Sequence, residues 1–140
     1  MKATTFVSAI TAFGLISAVS AVKLPNDVAE AICGDLGVMN VTDLPEGVDI
    51  NAVRMCKEHP EGVDIVDATL EKRACWFGNS LGCSAGGYCY KSCAQPGSGH
   101  WCWTAHNNGF GDWVRCKSAS DCSRGDQCGA GDCKACGCSC

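Results

Sequence analysis

Beyond Arg73 the chain has no isoleucine, no methionine and no glutamate, and its only branched aliphatic side chains are Leu81 and Val114. Those 67 residues cannot assemble an ordinary hydrophobic core, because so small a unit gains only a few kcal/mol from burial before chain entropy is subtracted. Cationic stripes are also missing. Five basic residues against four acidic ones leave the stretch near +1, which excludes nucleic-acid binding by charge. Its only near-neutral bases are His100 and His106, neither placed in a nucleophile motif, and its acids are scattered aspartates. Its glycines stand mostly beside cysteines and form no phosphate-cradling loop. The chain therefore reads as a non-enzyme without a cofactor or a metal. After the first twenty or so residues no run is apolar enough to span a bilayer.

The amino terminus has the layout of a secretion signal. Lys2 supplies a short positive region, Thr5 to Val19 is uncharged and mostly apolar, and Val19-Ser20-Ala21 offers small residues for cleavage. A membrane anchor needs about 20 continuous apolar residues. This run is shorter and is interrupted by Thr11, Ser17 and Ser20. Residues 1–21 are accordingly expected to be a signal peptide and the product to be secreted and extracellular.

Lys72-Arg73 divides the remainder. Residues 22–73 carry eleven acidic and five basic side chains, a formal charge of −6, and only two cysteines, Cys33 and Cys56. Residues 74–140 carry the other twelve cysteines, all four tryptophans and both tyrosines. A break in charge and composition at a dibasic pair predicts an acidic pro-segment, 22–73, removed by a secretory-pathway protease that cuts after paired basic residues, leaving a mature cysteine-rich domain, 74–140. The alternative is that Lys72 and Arg73 simply end a helix, where cations are favoured.

The acidic segment repeats PEGVDI at Pro45–Ile50 and Pro60–Ile65. Pro-Glu-Gly predicts a turn, and Asp49 and Asp64 are placed to cap short helices. Another short helix is expected from Asn26 to about Cys33, with Val28 and Ile32 on one face. Cys33 and Cys56 follow these helices and are candidates to pair with each other. Asn40-Val41-Thr42 is an N-glycosylation acceptor sequence, so Asn40 is a candidate modification site.

In the cysteine-rich part covalent staples must replace the core. Cys75, Cys83, Cys89, Cys93, Cys102, Cys116, Cys122, Cys128, Cys133, Cys136, Cys138 and Cys140 are even in number, and a secreted chain meets the oxidising conditions that join them. Each bridge contributes about 2–4 kcal/mol in the chain-entropy account. Spacing does not fix their connectivity. Cys89 and Cys93, four apart, would share a face if this stretch is helical. Cys136, Cys138 and Cys140 would share a face if the end is extended.

The clearest hairpin candidate runs from His100 to Ala105, turns at His106-Asn107-Asn108-Gly109, and returns along Asp112 to Cys116. Asn-Gly is a strong turn signal, and Trp, Val and Thr suit strands. With Cys102 inward, alternation turns Trp101 and Trp103 outward. Together with Trp113 they form the candidate binding surface, because protein, carbohydrate and membrane surfaces all accept exposed tryptophan. The competing reading has the rings cover a disulfide core too small to bury them.

The signal to Ala21, the acidic segment ending Leu70-Glu71-Lys72-Arg73 and the cysteine-rich remainder together resemble the small secreted cysteine-rich proteins of filamentous fungi, including candidate effectors and biotrophy-associated secreted proteins. Within the remainder, Gly82-Cys83 through Cys89-Tyr90-Lys91-Ser92-Cys93, with Cys136-Gly137-Cys138, is similar to defensin-like domains. That resemblance implies a Cys-x3-Cys helix tied to a Cys-x-Cys strand. It departs from the pattern at His100, where glycine is expected, in the long gap from Cys102 to Cys136, and in its surplus of cysteines. The tail from Cys128 to Cys140 locally resembles a fungal copper metallothionein, whose chemistry needs reduced thiolates. A hevein-type chitin module is disfavoured, since Cys-Cys is absent throughout.

The fold expected is small, disulfide-rich and mostly β with a short helix, in the defensin-like α+β arrangement or another stapled one. The function expected is that of an effector-like protein acting outside the cell by binding a host or cell-wall target. A defensin-like antimicrobial peptide is the alternative, although a charge of +1 is poor equipment for disrupting membranes; metallothionein-like metal binding is the second.

Overall fold

Along 88–92 and 101–105 aromatic residues alternate with cysteine, lysine and threonine, and this period of two produces strands. The computed structural model describes residues 24–61 and 75–130. In it four strands, β1 (Leu81–Cys83), β2 (Cys89–Ser92), β3 (Trp101–Ala105) and β4 (Gln127–Cys128), form an antiparallel sheet in sequence order. Tyr90 lies opposite Gly82 on one side and Trp103 on the other. The Tyr90 ring covers Gly82, where a Cβ would collide with it. The expected fold class holds: a small, disulfide-rich, mostly-β protein, with one short α-helix among the described residues.

Four disulfides staple the described residues: Cys33–Cys56, Cys83–Cys116, Cys89–Cys122 and Cys102–Cys128. Cys75 and Cys93 are disulfide-bonded as well. Cys89, Val114 and Cys122 form a buried cluster, with Leu81, Cys83 and Cys116 packed against it, so sulfur fills the space that aliphatics would otherwise occupy. Cys33 and Cys56 are the only cysteines before Lys72 and bond to each other. No disulfide therefore joins the acidic part to the cysteine-rich part.

The helix implied for Cys89 to Cys93 by the defensin-like resemblance is not formed: Cys89–Ser92 is strand β2. The reason is tertiary. Pairing with β1 and β3 lays Tyr90 against Trp103, and such cross-strand aromatic pairs outweigh the weak helical hint of an i, i+4 cysteine pair. The one α-helix among the described residues lies instead in the acidic part, α1 (Asn26–Cys33), where a helix is expected. Its packed face is Ala29 and Cys33, however, while Val28 and Ile32 are exposed, because the Cys33–Cys56 bridge sets the helix rotation. Asp49 caps the 3₁₀ turn Ile50–Ala52 as expected, its carboxylate accepting from Asn51 N at 2.9 Å.

The expected turn after β3 is present. Asn107, Asn108 and Gly109 all take left-handed backbone conformations. At Gly109 a side chain is also excluded by space, since a Cβ would strike the Cys128 carbonyl oxygen. The return arm makes bridges rather than a strand. Trp113 bridges Ala105, Arg115 bridges Tyr88, and Val114 lies between the chains, its N–H donating to Thr104 O and its carbonyl accepting from Cys89 N, each at 2.9 Å. β4 takes the edge of β3 instead. The expected signal peptide, the expected Asp64 cap, Lys72-Arg73 and the tail cysteines Cys133, Cys136, Cys138 and Cys140 lie outside the described residues.

Candidate functional site: an aromatic face and its resident segment

Alternation along β3 sends Cys102 to the disulfide side and Trp101 and Trp103 to the other side of the sheet, where Tyr90 joins them from β2. Tyr90 meets Trp101 and Trp103 edge-on at 6.0 and 6.3 Å between ring centroids, and Trp101 meets Trp103 edge-on at 4.9 Å. These T-shaped contacts satisfy the quadrupoles of the rings and fix their orientation. Trp76 closes the arrangement, edge-on to Tyr90 at 5.8 Å, with its indole N–H donating to Asn79 O at 2.8 Å.

Trp76, Tyr90, Trp101 and Trp103, with Cys83, Ser84 and Ala85 as a wall, line an open groove of about 340 Å³. The expected binding surface is therefore regrouped. Trp101 is half-buried and lines the groove; Trp113 is half-buried but is not part of its lining. Trp103 was expected to face solvent and is 5 % exposed, because the second face of β3 is covered by the acidic part of the chain. Its indole Nε1–H has no acceptor among the described residues. Trp76 and Tyr90 escaped the sequence reading, because the first precedes the sheet and the second sits between two cysteines read as helical.

What covers Trp103 is His59. The imidazole stacks on the Trp103 indole with centroids 4.1 Å apart and planes 11° from parallel. Tyr88 and Trp113 meet it edge-on at 4.4 and 4.8 Å, so three rings enclose a fourth. His59 has no solvent exposure at all. Its Nδ1 accepts from Glu61 N at 3.0 Å, which holds the ring against its own backbone. On the outer side of Tyr88 the Arg115 guanidinium lies 3.8 Å from the ring centroid.

Arg54 is the second anchor. Its guanidinium sits 3.9 Å from the Trp113 ring centroid and donates through one terminal nitrogen to Gly109 O (2.5 Å) and Gly111 O (3.2 Å). The other terminal nitrogen donates to Lys57 O (3.2 Å) and to Ala130 O. Burial lowers its pKa from the ordinary arginine value to about 10, partly offset by the charges of Glu58 and Asp112, so the group remains a cation at neutral pH. A planar fork with several donors suits this ring of carbonyls in a way that a lysine does not.

Backbone contacts extend the junction. Arg54 N donates to Phe110 O at 2.9 Å. Asn107 forms a reciprocal pair with Asp49, accepting from its N–H at 2.9 Å and donating to its carbonyl at 2.8 Å. The turn that the sequence marks as a hairpin loop is thus also a docking point. Neither Arg54 nor His59 was singled out from the sequence. The only local signal is a cation and an imidazole five residues apart, flanking Cys56, in a segment otherwise dominated by acid.

Asn40 is exposed, and its side-chain oxygen accepts from Thr42 N at 2.8 Å and from the Thr42 hydroxyl. Two sulfur groupings, Cys89/Cys116/Cys122 and Cys93/Cys102/Cys128, are compact enough to suggest a metal site. Every one of those sulfurs is in a disulfide and offers no thiolate. No helix among the described residues is long and apolar enough to cross a membrane.

Comparison of the chain with protein-family models, with curated proteins and with solved structures finds no match in any of the three.

Proposed function

We propose that this protein is a secreted, disulfide-stapled, effector-like binder that acts outside the cell and engages a host or cell-wall target through its aromatic groove. The observation that carries the reading is the convergence of Trp76, Tyr90, Trp101 and Trp103 on one open groove of a cross-linked sheet. Rigid aromatic rings supply large contact area at little entropic cost. Disulfides hold those rings in place without an aliphatic core and favour an oxidising compartment. The signal-like amino terminus and the dibasic pair support export and maturation.

Trp101→Ala provides the test, since Trp101 lines the groove without being its buried support. Wild type and variant are compared for binding to intact host cells and to isolated cell-wall material, with the disulfide count taken by mass. The reading requires loss of binding with all bridges retained. Equal binding by a folded Trp101→Ala protein removes the groove from the mechanism. Growth inhibition of bacteria or competing fungi by the purified protein, without host-directed activity, would favour the antimicrobial alternative.

A further inference from the structure

The junction between the acidic part and the sheet has the composition of a recognition site. On one side stand a three-ring enclosure (Tyr88, Trp103, Trp113) and three carbonyls (Gly109, Gly111, Ala130). On the other stand one guanidinium and one imidazole, five residues apart on a single strand of chain. The flat ring is enclosed by flat rings, and the fork meets carbonyls and the face of Trp113. No disulfide crosses the junction, because Cys33 and Cys56 are bonded to each other.

We infer that this enclosure is a binding site for a peptide segment bearing an arginine and a nearby flat ring, that residues 24–61 are its built-in occupant, and that cleavage after Arg73 makes the occupant exchangeable. In the intact chain the connection through residues 62–74 keeps Arg54 and His59 at an effective concentration on the order of millimolar, which no dilute competitor overcomes. A cut in that connection leaves every contact in place and turns it into a bimolecular equilibrium. Extracellular dilution then favours release, and an arginine-bearing segment of a partner protein takes the vacated place. The ligand chemistry follows from the occupant: a cation for the carbonyls and the indole face, and a planar ring to stack on Trp103. The site adjoins the open groove, since Trp103 contributes to both.

This inference rests on the dibasic pair being a cutting site, but its test does not depend on the cell making the cut. The purified full chain is nicked in vitro after Arg73 with a dibasic-cleaving endoprotease. Synthetic 24–61 carrying the Cys33–Cys56 bridge and a fluorophore is then added, and anisotropy is followed with nicked and with intact protein. The labelled segment is expected to exchange into nicked protein only. Arg54→Ala and His59→Ala versions are expected to bind about 10- to 100-fold more weakly, through lost charge-assisted contacts in the first and a lost enclosed ring in the second. An unrelated arginine- and tyrosine-bearing peptide at high excess is expected to displace the label, whereas the same peptide with its arginine replaced by glutamine is not. Equal binding of the Arg54→Ala and His59→Ala segments overturns the proposal. So does release only when the circular-dichroism signal of the sheet collapses, which would make 24–61 a fixed part of the fold. Groove binding by Trp101 is measured separately and stands or falls on its own.

Discussion

His59 and Trp103 lie face to face, 4.1 Å between ring centroids, although one belongs to the acidic part of the chain and the other to an inner strand of the cysteine-rich sheet. With no solvent exposure, His59 is among the most deeply buried side chains of the protein. In the intact chain it therefore fills the place of a core residue beside a sheet that has almost no aliphatic core of its own.

His59→Ala should accordingly behave as a core truncation. Removing the imidazole leaves a void against Tyr88, Trp103 and Trp113, and the loss expected is about 2–4 kcal/mol, in the range of large-to-small substitutions at buried sites. His59→Phe keeps a stacking ring and should recover most of it. Denaturant midpoints without reductant measure both, and an unchanged midpoint for His59→Ala would place the acidic part off the sheet.

Arg54→Lys tests whether shape or charge matters at the carbonyl ring. A lysine ammonium is a point donor and cannot serve Gly109, Gly111, Lys57 and Ala130 together. Each buried carbonyl left without any donor costs about 1–3 kcal/mol, and only the Gly109 carbonyl keeps a backbone donor, Ala130 N at 2.8 Å, among the bonds described. Arg54→Lys should therefore be destabilised despite keeping its charge, and Arg54→Ala more so. Equal stability of Arg54→Lys and wild type would show that charge alone suffices.

Local geometry was legible in the sequence, and contact across the chain was not. Asp49 capping Ile50–Ala52, the Asn107-Asn108-Gly109 turn, the strand at Trp101–Ala105 and the Cys33–Cys56 pair all follow from nearby residues or simple elimination. The strand at Cys89–Ser92 was obscured because a four-residue cysteine spacing suits a helix, whereas the partners that make it a strand lie elsewhere. Trp103 was read as outward from correct alternation, since period two tells the two faces of a strand apart but not what covers each. Arg54 reaches carbonyls 55 to 76 residues away, and no periodicity announces such a contact.

Maturation makes a distinct prediction. If Lys72-Arg73 is cut, the cysteine-rich product begins at Ala74, and Lys72→Ala with Arg73→Ala leaves one longer chain. Mass spectrometry of the protein recovered from an expressing culture under non-reducing conditions reads the cut, the bridges and any glycan on Asn40 together. A wild-type product that is a single chain starting near Val22 would rule out processing.

Acid should loosen the corner held by Asp121 at a pH of its own. The Asp121 carboxylate accepts from the backbone N–H groups of Lys117 and Ser118, at 2.8 and 3.0 Å, and these bonds hold its pKa below the ordinary aspartate value. A carboxyl with a depressed folded pKa contributes stability above its unfolded pKa and loses it as pH falls through the folded one. The amide resonances of Lys117 and Ser118 should thus shift together at a pH below the ordinary aspartate range, and Asp121→Asn should abolish that step. Titration of the two amides at the ordinary aspartate pH would contradict the assignment.

The sharpest division of labour is between two tryptophans on one strand. Trp103 is buried under His59 and braced by Tyr88, Tyr90 and Trp101, so Trp103→Ala should cost about 3–5 kcal/mol, as large aromatic truncations do. Its effect on binding should follow its loss of stability. Trp101 is only half-buried and loses edge contacts with Tyr90 and Trp103 worth about 0.5–1.5 kcal/mol each. Trp101→Ala should stay folded, keep its disulfides and protease resistance, and lose target binding. Comparing the two variants by denaturation and by binding to host or cell-wall material separates a ring that builds the groove from a ring that uses it. Parallel losses of stability and binding in both variants would mean that the aromatic face serves the fold alone.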